Sequence, residues 1–378
     1  MANTKELVVN ALPSKTWYWL KINDARLSVP ADVKELGPSI DNKDEHVTYK
    51  KLSLVTEQGE GKESPAFWRN IKTGAGMEGD FITGSQADLL IQKAGTETKA
   101  PVVLHYDYDK TGAYGDRLYL YAEKDSTLKV VVIAKTKGLD ISDTSEKELN
   151  GSLGALQTRI YTEEGAKVEL HMLQLLSEES VYVSDIGGHC EEDGAIRVTR
   201  LELGSGKLYA AAEVDLVGKR SDFTAEIGYS ARHAQKYDMN YVARHRGRKT
   251  TCEMNVNGVL WDKAEKVFRG TIDFICGCAE AKGNEKEEVL MLGEDVINHT
   301  IPLILCNEED VEGNHGATIG ELDQDTLFYL GSRGIDPETA KVMVAASKLE
   351  AVSQMIPNGE IRKLVDEFVR GTTEDAEL

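Results

Sequence analysis

The chain has 378 residues, of which 41% are hydrophobic and 29% are charged, a balance typical of a soluble protein with a packed core. Its 64 acidic residues outnumber its 44 basic residues, which gives a formal charge of −20. This charge argues against nucleic acid and against an anionic membrane surface as partners, because both need a basic face. The sequence shows no signal peptide and no apolar run of about 20 residues, so no membrane span is expected. Five cysteines, an odd number, favour free thiols in a reducing cytoplasm over a disulfide framework.

Residues 1–85 have a mixed pattern. The segment WYWLKIND carries two of the four tryptophans, and the later stretch EQGEGKESPAFW is rich in glycine and charge. We expect this region to form a small, partly irregular cap on a larger domain.

Residues 86–320 contain short β-rich runs with glycine, aspartate or asparagine between them, such as RLYLYAE, LKVVVIAK, AIRVTRLEL and TIPLILC. Most of these runs alternate apolar and polar residues, which is typical of strands. Roughly a dozen or more strands follow one another, which is more than a single sandwich or barrel usually needs. The pattern therefore favours a mainly β chain with a β-solenoid core, in which each coil buries its inward face by stacking on its neighbours. A pair of large β-sandwiches is the alternative.

Residues 321–378 change to a helical pattern. Asp336 suits an N-cap and Pro337 suits the first helical position, so a helix is predicted from Pro337. Its residues at helical spacing are Ala340, Met343, Val344, Ser347 and Ala351. A further helix is predicted after Gly359, with a stripe formed by Ile361, Leu364, Val365 and Phe368. A small C-terminal helical domain of this kind must bury its stripes on the β body or on a partner.

The stretch between these two regions, residues 306–335, is unusually polar. It begins with Cys306, continues with a run of acidic residues that includes Glu312, and reaches His315 within a few residues. Thiolate, carboxylate and imidazole are all metal-ligand types. Because a buried carboxylate or imidazole needs a partner, we expect a functional role rather than packing. The alternatives are a small buried cysteine, a solvated acidic turn and a hydrogen-bonding histidine.

The same stretch resembles the signature of the SufB/SufD family, the scaffold subunits of the SUF iron–sulfur cluster assembly machine. The resemblance is carried by the segment His315-Gly316-Ala317-Thr318, by Leu327-Phe328-Tyr329 and by Arg333-Gly334-Ile335. Upstream segments are also similar to the family's core: DMNYVARHRGRKT at 238–250, FRGTIDF at 268–274 and HTIPLIL at 299–305.

The resemblance implies a right-handed parallel β-helix core with helical regions at its ends, acting as a scaffold and not as an enzyme. It implies a SufC-type ABC ATPase that docks on the C-terminal helices, a second scaffold subunit paired through the last strands, and a cysteine desulfurase as sulfur source. The residues expected to contact the ATPase are Leu327, Phe328, Tyr329, Arg333, Gly334, Ile335 and Met343. The chain has no GxxxxGK[ST] loop, so we expect no ATP site of its own.

The chain departs from the SufB pattern in two places. A cysteine expected a few residues before the strand's His-Thr is replaced by Val296, and Gly316 stands where SufB types carry a glutamate. The chain is thus SufD-like, or it belongs to a divergent branch with a single scaffold. The sequence leaves open whether it forms a homodimer or a heterodimer with a SufB-like partner.

Within this resemblance, Cys306, Glu312 and His315 are the predicted ligands of a transient iron–sulfur cluster. A mixed ligand set should release a cluster more readily than four thiolates. Cys306 is also the candidate to carry sulfur as a persulfide, and Cys306 with His315 the candidate metal pair. The pair Cys276 and Cys278 would face one side of a strand, but two thiols are too few for a closed zinc site, so we predict incidental placement.

Two other functions remain open at this stage. The chain could regulate an ABC ATPase without holding a cluster. It could also be a β-helix carbohydrate-active enzyme, which would need paired carboxylates or bound calcium in a groove.

Overall fold

The structure is a computed structural model that describes residues 4–16, 18–55, 60–76, 84–140 and 147–374. The N-terminal region contains four strands and one short helix: β1 Thr4–Val9, β2 Ala25–Pro30, β3 Ser39–Asp41, β4 Val47–Ser53 and α1 Pro65–Arg69. Three helices follow the β body: α2 Gln324–Ser332, α3 Pro337–Ser353 and α4 Gly359–Glu374.

Sixteen strands form the β body between these regions. They are β5 Gln86–Gln92, β6 Val102–Tyr108, β7 Ala113–Ala122, β8 Thr127–Thr136, β9 Leu153–Thr162, β10 Lys167–Leu175, β11 Val181–Cys190, β12 Ala195–Glu202, β13 Lys207–Leu216, β14 Asp222–Ala231, β15 Lys236–His245, β16 Thr251–Leu260, β17 Glu265–Phe274, β18 Ala281–Met291, β19 Ile297–Cys306 and β20 Val311–Gly320.

Successive strands alternate between two facing sheets. The odd-numbered strands β5 to β19 form one parallel array and the even-numbered strands β6 to β20 the other. Lys207 pairs with Lys236, which in turn pairs with Glu265, so the chain returns to the same position of the sheet after each coil. The predicted β-solenoid is confirmed, and the alternative of two β-sandwiches is wrong.

The solenoid has no fixed sequence period because its coils differ in length. The coil that joins Val181 to its partner Lys207 is shorter than the coil that joins Glu265 to its partner Ile297. The extra residues lie in the corners between strands, where insertions are tolerated without disturbing the stacked register.

The main core lies between the two sheets. Alternate residues of each strand point inward, and most of those in the middle coils are apolar and fully buried, such as Val132, Leu170 and Val198. Each coil buries this face only because neighbouring coils cover it on both sides.

The N-terminal region both closes the first coil and covers one outer face. Strands β3 and β4 pair antiparallel with β6 and β5, which satisfies the first edge of each sheet. The β1–β2 ribbon packs Leu7 and Leu27 on the outer face of the odd-numbered sheet. Further along, the buried Arg269 guanidinium donates to the Ile22 carbonyl at 2.7 Å and pairs with Asp238. The N-terminal region therefore reaches from the first coil to the last coils.

Helices α3 and α4 cover the outer face of the even-numbered sheet. Leu349, Val352, Ile361, Val365 and Phe368 pack with Leu173 and its neighbours on β6, β8, β10 and β12. Helix α3 begins as predicted, with the Asp336 carboxylate accepting from the amides of Glu338 and Thr339. This covering layer leaves the last coils of the solenoid as the least protected part of the β body.

The predicted stripe of α4 lies on its buried side, whereas most of the predicted stripe of α3 is not buried on the β body. Met343, Ser347 and Ala351 are exposed, while Val342 and Leu349 are buried. The reason is the apolar run VMVAA, which occupies all sides of the helix. The sequence alone therefore does not show which side packs on the sheet. None of the helices in the described ranges is long and apolar enough to span a membrane.

Candidate functional site

The solenoid ends in an open coil formed by β19 and β20. Each of these strands is the last in its sheet, whereas the opposite edges are closed by β3 and β4. Residues along β20 are exposed or half-buried throughout, and β19 buries only Ile301. Edge strands present unpaired backbone donors and acceptors, so this end is suited to pairing with another chain.

The strand register shows which side chains face into the open coil. His315 lies beside Glu285 and Ala317 beside Glu287, on the same face as the core residue Val289. Cys306 lies beside the core residue Phe274 and continues an inward-facing row at the end of β19. His315 and Cys306 are both exposed because no further coil covers them.

Glu312 points to the other side of β20. It lies three residues before His315, and alternate residues of a strand face opposite ways. Its carboxylate forms an exposed ion pair with Lys282 on the outer face, at 2.8 Å. Sequence proximity therefore does not bring Glu312 to the side of the strand that carries His315.

The three predicted ligands are not brought together within one chain. Cys306 lies across the corner from the first residue of β20, and His315 follows four residues later, roughly 13 Å along the strand. Within the described ranges, no three histidine, cysteine, aspartate or glutamate side chains are placed to hold a metal ion. Each predicted ligand therefore remains a separate candidate.

The structure places three cysteines at one corner of the solenoid. The Cys306 thiol donates to the Glu308 carbonyl at 3.1 Å, and the Gly277 amide, between Cys276 and Cys278, donates to the Glu308 carboxylate at 2.9 Å. Burial raises the pKa of Cys278 to about 11, with smaller contributions from Glu308 and Cys306. The sequence alone does not bring these thiols together, because the irregular coil length hides that one turn stacks on the other.

The other two cysteines lie inside the core. Cys190 and Cys252 are fully buried. Burial raises the pKa of Cys190 to about 12 and that of Cys252 well above its usual value. A buried protonated thiol is a poor nucleophile, so sulfur chemistry with solvent partners is restricted to the exposed thiols of Cys276 and Cys306.

A charged network lies in the interior just below the open coil. The side chains of Lys266 and Glu287 are fully buried and form an ion pair. The Thr300 hydroxyl donates to Glu287 at 2.6 Å and accepts from Lys266 at 3.1 Å. Burial lowers the pKa of Lys266, and Glu287 opposes that shift. These residues were not predicted from the sequence, because which residues of β17 and β18 point inward depends on the register with neighbouring coils.

Glu285 differs from this network because its carboxyl group makes no hydrogen bond in the part of the chain that the structure describes. The residue is only 4% exposed. Burial and, to a smaller extent, the neighbouring Glu287 carboxylate together raise the pKa of Glu285 to about 8, against the opposing effect of Lys266. Opposite it, Gly270 leaves room for the carboxyl group, since a Cβ there would collide with it.

The residues predicted to contact an ATPase lie on the helical arm, α2 and the start of α3. Phe328 and Tyr329 are 80% and 56% exposed, and the Arg333 guanidinium lies 5.2 Å from the centre of the Tyr329 ring. Leu327 is half-buried and lines a cavity of 280 Å³ with Pro337 and other residues. The remaining three residues predicted to contact the ATPase are Gly334, whose φ is 85°, Ile335, which is half-buried, and Met343, which is exposed.

Residues 109–347 match the family model described as SUF system FeS cluster assembly, SufBD core domain. This match covers more than half of the chain. The chain belongs to the SufBD family. The resemblance found in the sequence is thereby confirmed.

Several curated relatives are similar to parts of the chain. SufD of Bacillus subtilis is 29% identical over 155 residues, which is 41% of this chain and 32% of that protein. SufD of Escherichia coli is 33% identical over 86 residues, covering 23% of this chain and 20% of that protein. A SufBD family protein of Pyrococcus horikoshii is 24% identical over 283 residues, covering 72% of this chain and 60% of that protein. In each case the match spans less than two thirds of the relative's length.

Proposed function

We propose that this SufBD family chain is a scaffold on which iron–sulfur clusters are built before they are transferred to other proteins. The observation that carries the proposal is the open last coil, which presents His315 and Cys306 on two unpaired edge strands. Membership in the SufBD family and similarity to proteins named for iron–sulfur cluster assembly support the same role.

A second scaffold subunit would cover the open coil. His315 is the fifth of the ten residues of β20, so an antiparallel pair centred on this strand would bring the two equivalent positions together. Such an interface between two scaffold subunits, called the seam below, would supply the ligands that one chain lacks. A second copy and a SufB-like partner are both compatible with it.

Cys306 would receive sulfur from a cysteine desulfurase as a persulfide. The thiol is exposed at the corner of the open coil, where a partner enzyme can reach it. Cys276 is the only other exposed thiol in the described ranges, and it lies in the neighbouring turn. The deeply buried Cys190 and Cys252 are protonated and closed to a partner.

A SufC-type ABC ATPase would bind the helical arm. Helix α2 buries none of its residues on the solenoid and directs Phe328 and Tyr329 to solvent. Nucleotide-driven movement of the ATPase would shift α2 and α3 relative to the open coil. Such coupling requires two arrangements of the seam that the bound nucleotide favours unequally.

The test is anaerobic reconstitution with ferrous iron, a cysteine desulfurase, cysteine, a thiol reductant that converts persulfide sulfur to sulfide, the ATPase and ATP, followed by visible absorption and electron paramagnetic resonance. We expect Cys306→Ala and His315→Ala to abolish most of the cluster signal. His299→Ala is the matched control, because this histidine points to the outer face of β19. Wild-type cluster yield in both variants would reject the scaffold role and leave a regulatory partner of the ATPase as the better explanation.

A further inference from the structure

The N-terminal region carries a pair of exposed aromatic side chains close to the open end of the solenoid. Tyr18 and Trp19 lie in a short 3₁₀ helix, Tyr18–Leu20, and are 79% and 72% exposed. Single exposed apolar residues are common on protein surfaces and need no explanation. Two adjacent aromatic residues beside unpaired edge strands do need one, because such edges are places where another chain can bind.

The loop that presents this aromatic pair is anchored to the last coils. The Thr16 amide donates to the Asn23 side chain at 2.7 Å, which fixes the loop on itself. The Ile22 carbonyl accepts from the buried Arg269 guanidinium at 2.7 Å, and the Ile22 side chain packs with Ile301 of β19. The position of the aromatic pair relative to β19 is therefore set by contacts on the solenoid.

A groove of 410 Å³ lies beside the aromatic pair, at the rim of the open coil. The N-terminal loop contributes Leu20 and Ile22 to its walls, and the two edge strands contribute Asn298, Pro302 and Ile319. The groove thus joins the N-terminal loop to both β19 and β20. A chain that covers the open coil must also meet this groove.

Pro302 interrupts the free edge of β19. The amides of Ile297 and Asn307 donate to carbonyl groups of the preceding coil, so the amides of even-numbered residues of β19 point to the free edge. Pro302 holds an even position and has no N–H to offer there. It is the sixth of the ten residues of β19, so the missing donor lies at the middle of the strand. A partner must therefore contact the middle of β19 through side chains as well as through backbone.

The polar atoms of the groove indicate which side chain would fill it. Thr16 Oγ1 and Asn298 Oδ1 are buried and have no hydrogen-bond partner among the residues that the structure describes. A buried polar atom without a partner is costly, so a suitable occupant brings a hydrogen-bond donor. It also needs an apolar body to cover Leu20 and Pro302. Tyrosine and tryptophan combine an apolar ring with a donor at its edge.

We propose that Tyr18 and Trp19 bind the groove of a second copy of this chain, whose own aromatic pair binds the first groove in return. The inference rests on the proposed function, in which a second scaffold subunit covers the open coil. Each chain carries the aromatic pair and the groove side by side, as the self-complementary surface of a twofold dimer requires. This self-complementarity favours a second copy over a different scaffold subunit.

The position of the groove fits a twofold seam. Pro302 is the sixth of the ten residues of β19, and His315 is the fifth of the ten residues of β20. One twofold axis can therefore pass close to the middle of both edge strands, with the two grooves near the axis. Aromatic side chains that are buried near the centre of an interface usually contribute most of the binding energy.

The test measures self-association of the full-length chain by sedimentation velocity over a range of protein concentrations. We expect the wild type to form a dimer, and Tyr18→Ala combined with Trp19→Ala to raise the dissociation constant at least about tenfold. Asn298→Ala should raise it by a smaller factor, because it removes a hydrogen-bond acceptor and leaves the apolar walls. Thermal unfolding of the monomer should be unchanged in the double variant, because both aromatic residues are exposed in the single chain.

Val55→Ala is the matched control, because Val55 is 74% exposed but follows β4 at the closed end of the solenoid. Its dissociation constant should equal that of the wild type. An unchanged dissociation constant in the double variant would overturn the inference, as would a wild-type chain that stays monomeric. Weaker binding of the desulfurase or the ATPase with unchanged self-association would also overturn it. None of these results would reject the scaffold role, which is decided by the reconstitution with Cys306→Ala and His315→Ala.

Discussion

His245 shows how the solenoid interior changes the chemistry of a single residue. Its ring lies inside the core, with Nδ1 2.7 Å from the Thr250 hydroxyl and the ring centre 4.8 Å from that of Phe274. Burial lowers the pKa of His245 to about 4, so the imidazole is neutral in the folded protein at neutral pH.

We predict that His245 makes the protein less stable as the pH falls from about 6.5 to about 4. In this window the unfolded chain binds a proton at His245 and the folded chain does not, so lower pH favours unfolding. The contribution is at most about 3 kcal/mol. Urea unfolding at several pH values should show a shallower loss of stability for His245→Asn than for the wild type. An unchanged slope would contradict the prediction, and His46→Asn, in a loop near the N terminus, serves as the control.

Single residues also mark the limit of what the sequence predicts about the site. Cys306 and His315 stood out because polar residues interrupt a β-rich pattern. Glu285 and Glu287 did not, because the segment KGNEKEEV is polar at both odd and even positions. Which of these residues point inward depends on the register with neighbouring coils, and local alternation does not contain that information.

At the scale of elements, helix α3 divides its residues between the solenoid and solvent. Leu349 is buried against the even-numbered sheet, while Met343 on the same helix is 49% exposed. The two faces therefore have different roles, one in stability and one available to a partner.

We predict that Leu349→Ala lowers the free energy of unfolding by about 3 kcal/mol, because it leaves a cavity between α3 and the sheet. Met343→Ala should leave stability unchanged within about 0.5 kcal/mol and weaken binding of the ATPase. Chemical denaturation and a pull-down with purified ATPase measure the two effects. Equal destabilisation by both substitutions would contradict the assignment of the two faces.

The elements themselves were largely predictable. β-rich runs such as LKVVVIAK, which lies in β8, correspond to strands, and the apolar stripe of α4 is its buried side. Which side of α3 packs on the β body was not predictable, because alanine and valine surround that helix and only the packed sheet selects the buried side. The alternation of strands between two sheets could not be predicted from local sequence patterns. Each strand of the β body pairs with the next strand but one along the chain, so the pairing is not between sequence neighbours.

At the scale of the whole molecule, the two ends of the solenoid are unequal. The first coil is closed by strands β3 and β4, while the last coil exposes β19 and β20. The asymmetry directs any strand-to-strand association to one end of the molecule.

We predict that Ala317→Arg on β20 prevents association with a second scaffold subunit. Ala317 is exposed in a single chain, so the substitution should not impair folding, but a charged side chain at the seam would be buried without a partner. Light scattering after size-exclusion chromatography should show a monomer. Phe328→Arg on α2 is the reciprocal control and should lose the ATPase while keeping the assembly. An unchanged assembly in Ala317→Arg would place the interface elsewhere.

The contact between Arg269 and the Ile22 carbonyl has a consequence for synthesis of the chain. These residues are 247 positions apart, so the N-terminal segment leaves the ribosome long before β17 exists. Apolar residues of this segment, such as Leu12 and Ile22, pack on the last coils. They therefore stay exposed to solvent until the intervening coils have been translated. The solenoid can stack coil by coil as it emerges, but docking of its first residues is a late step. A nascent chain stalled before residue 269 should therefore have a folded middle and an accessible N terminus that proteases cleave first.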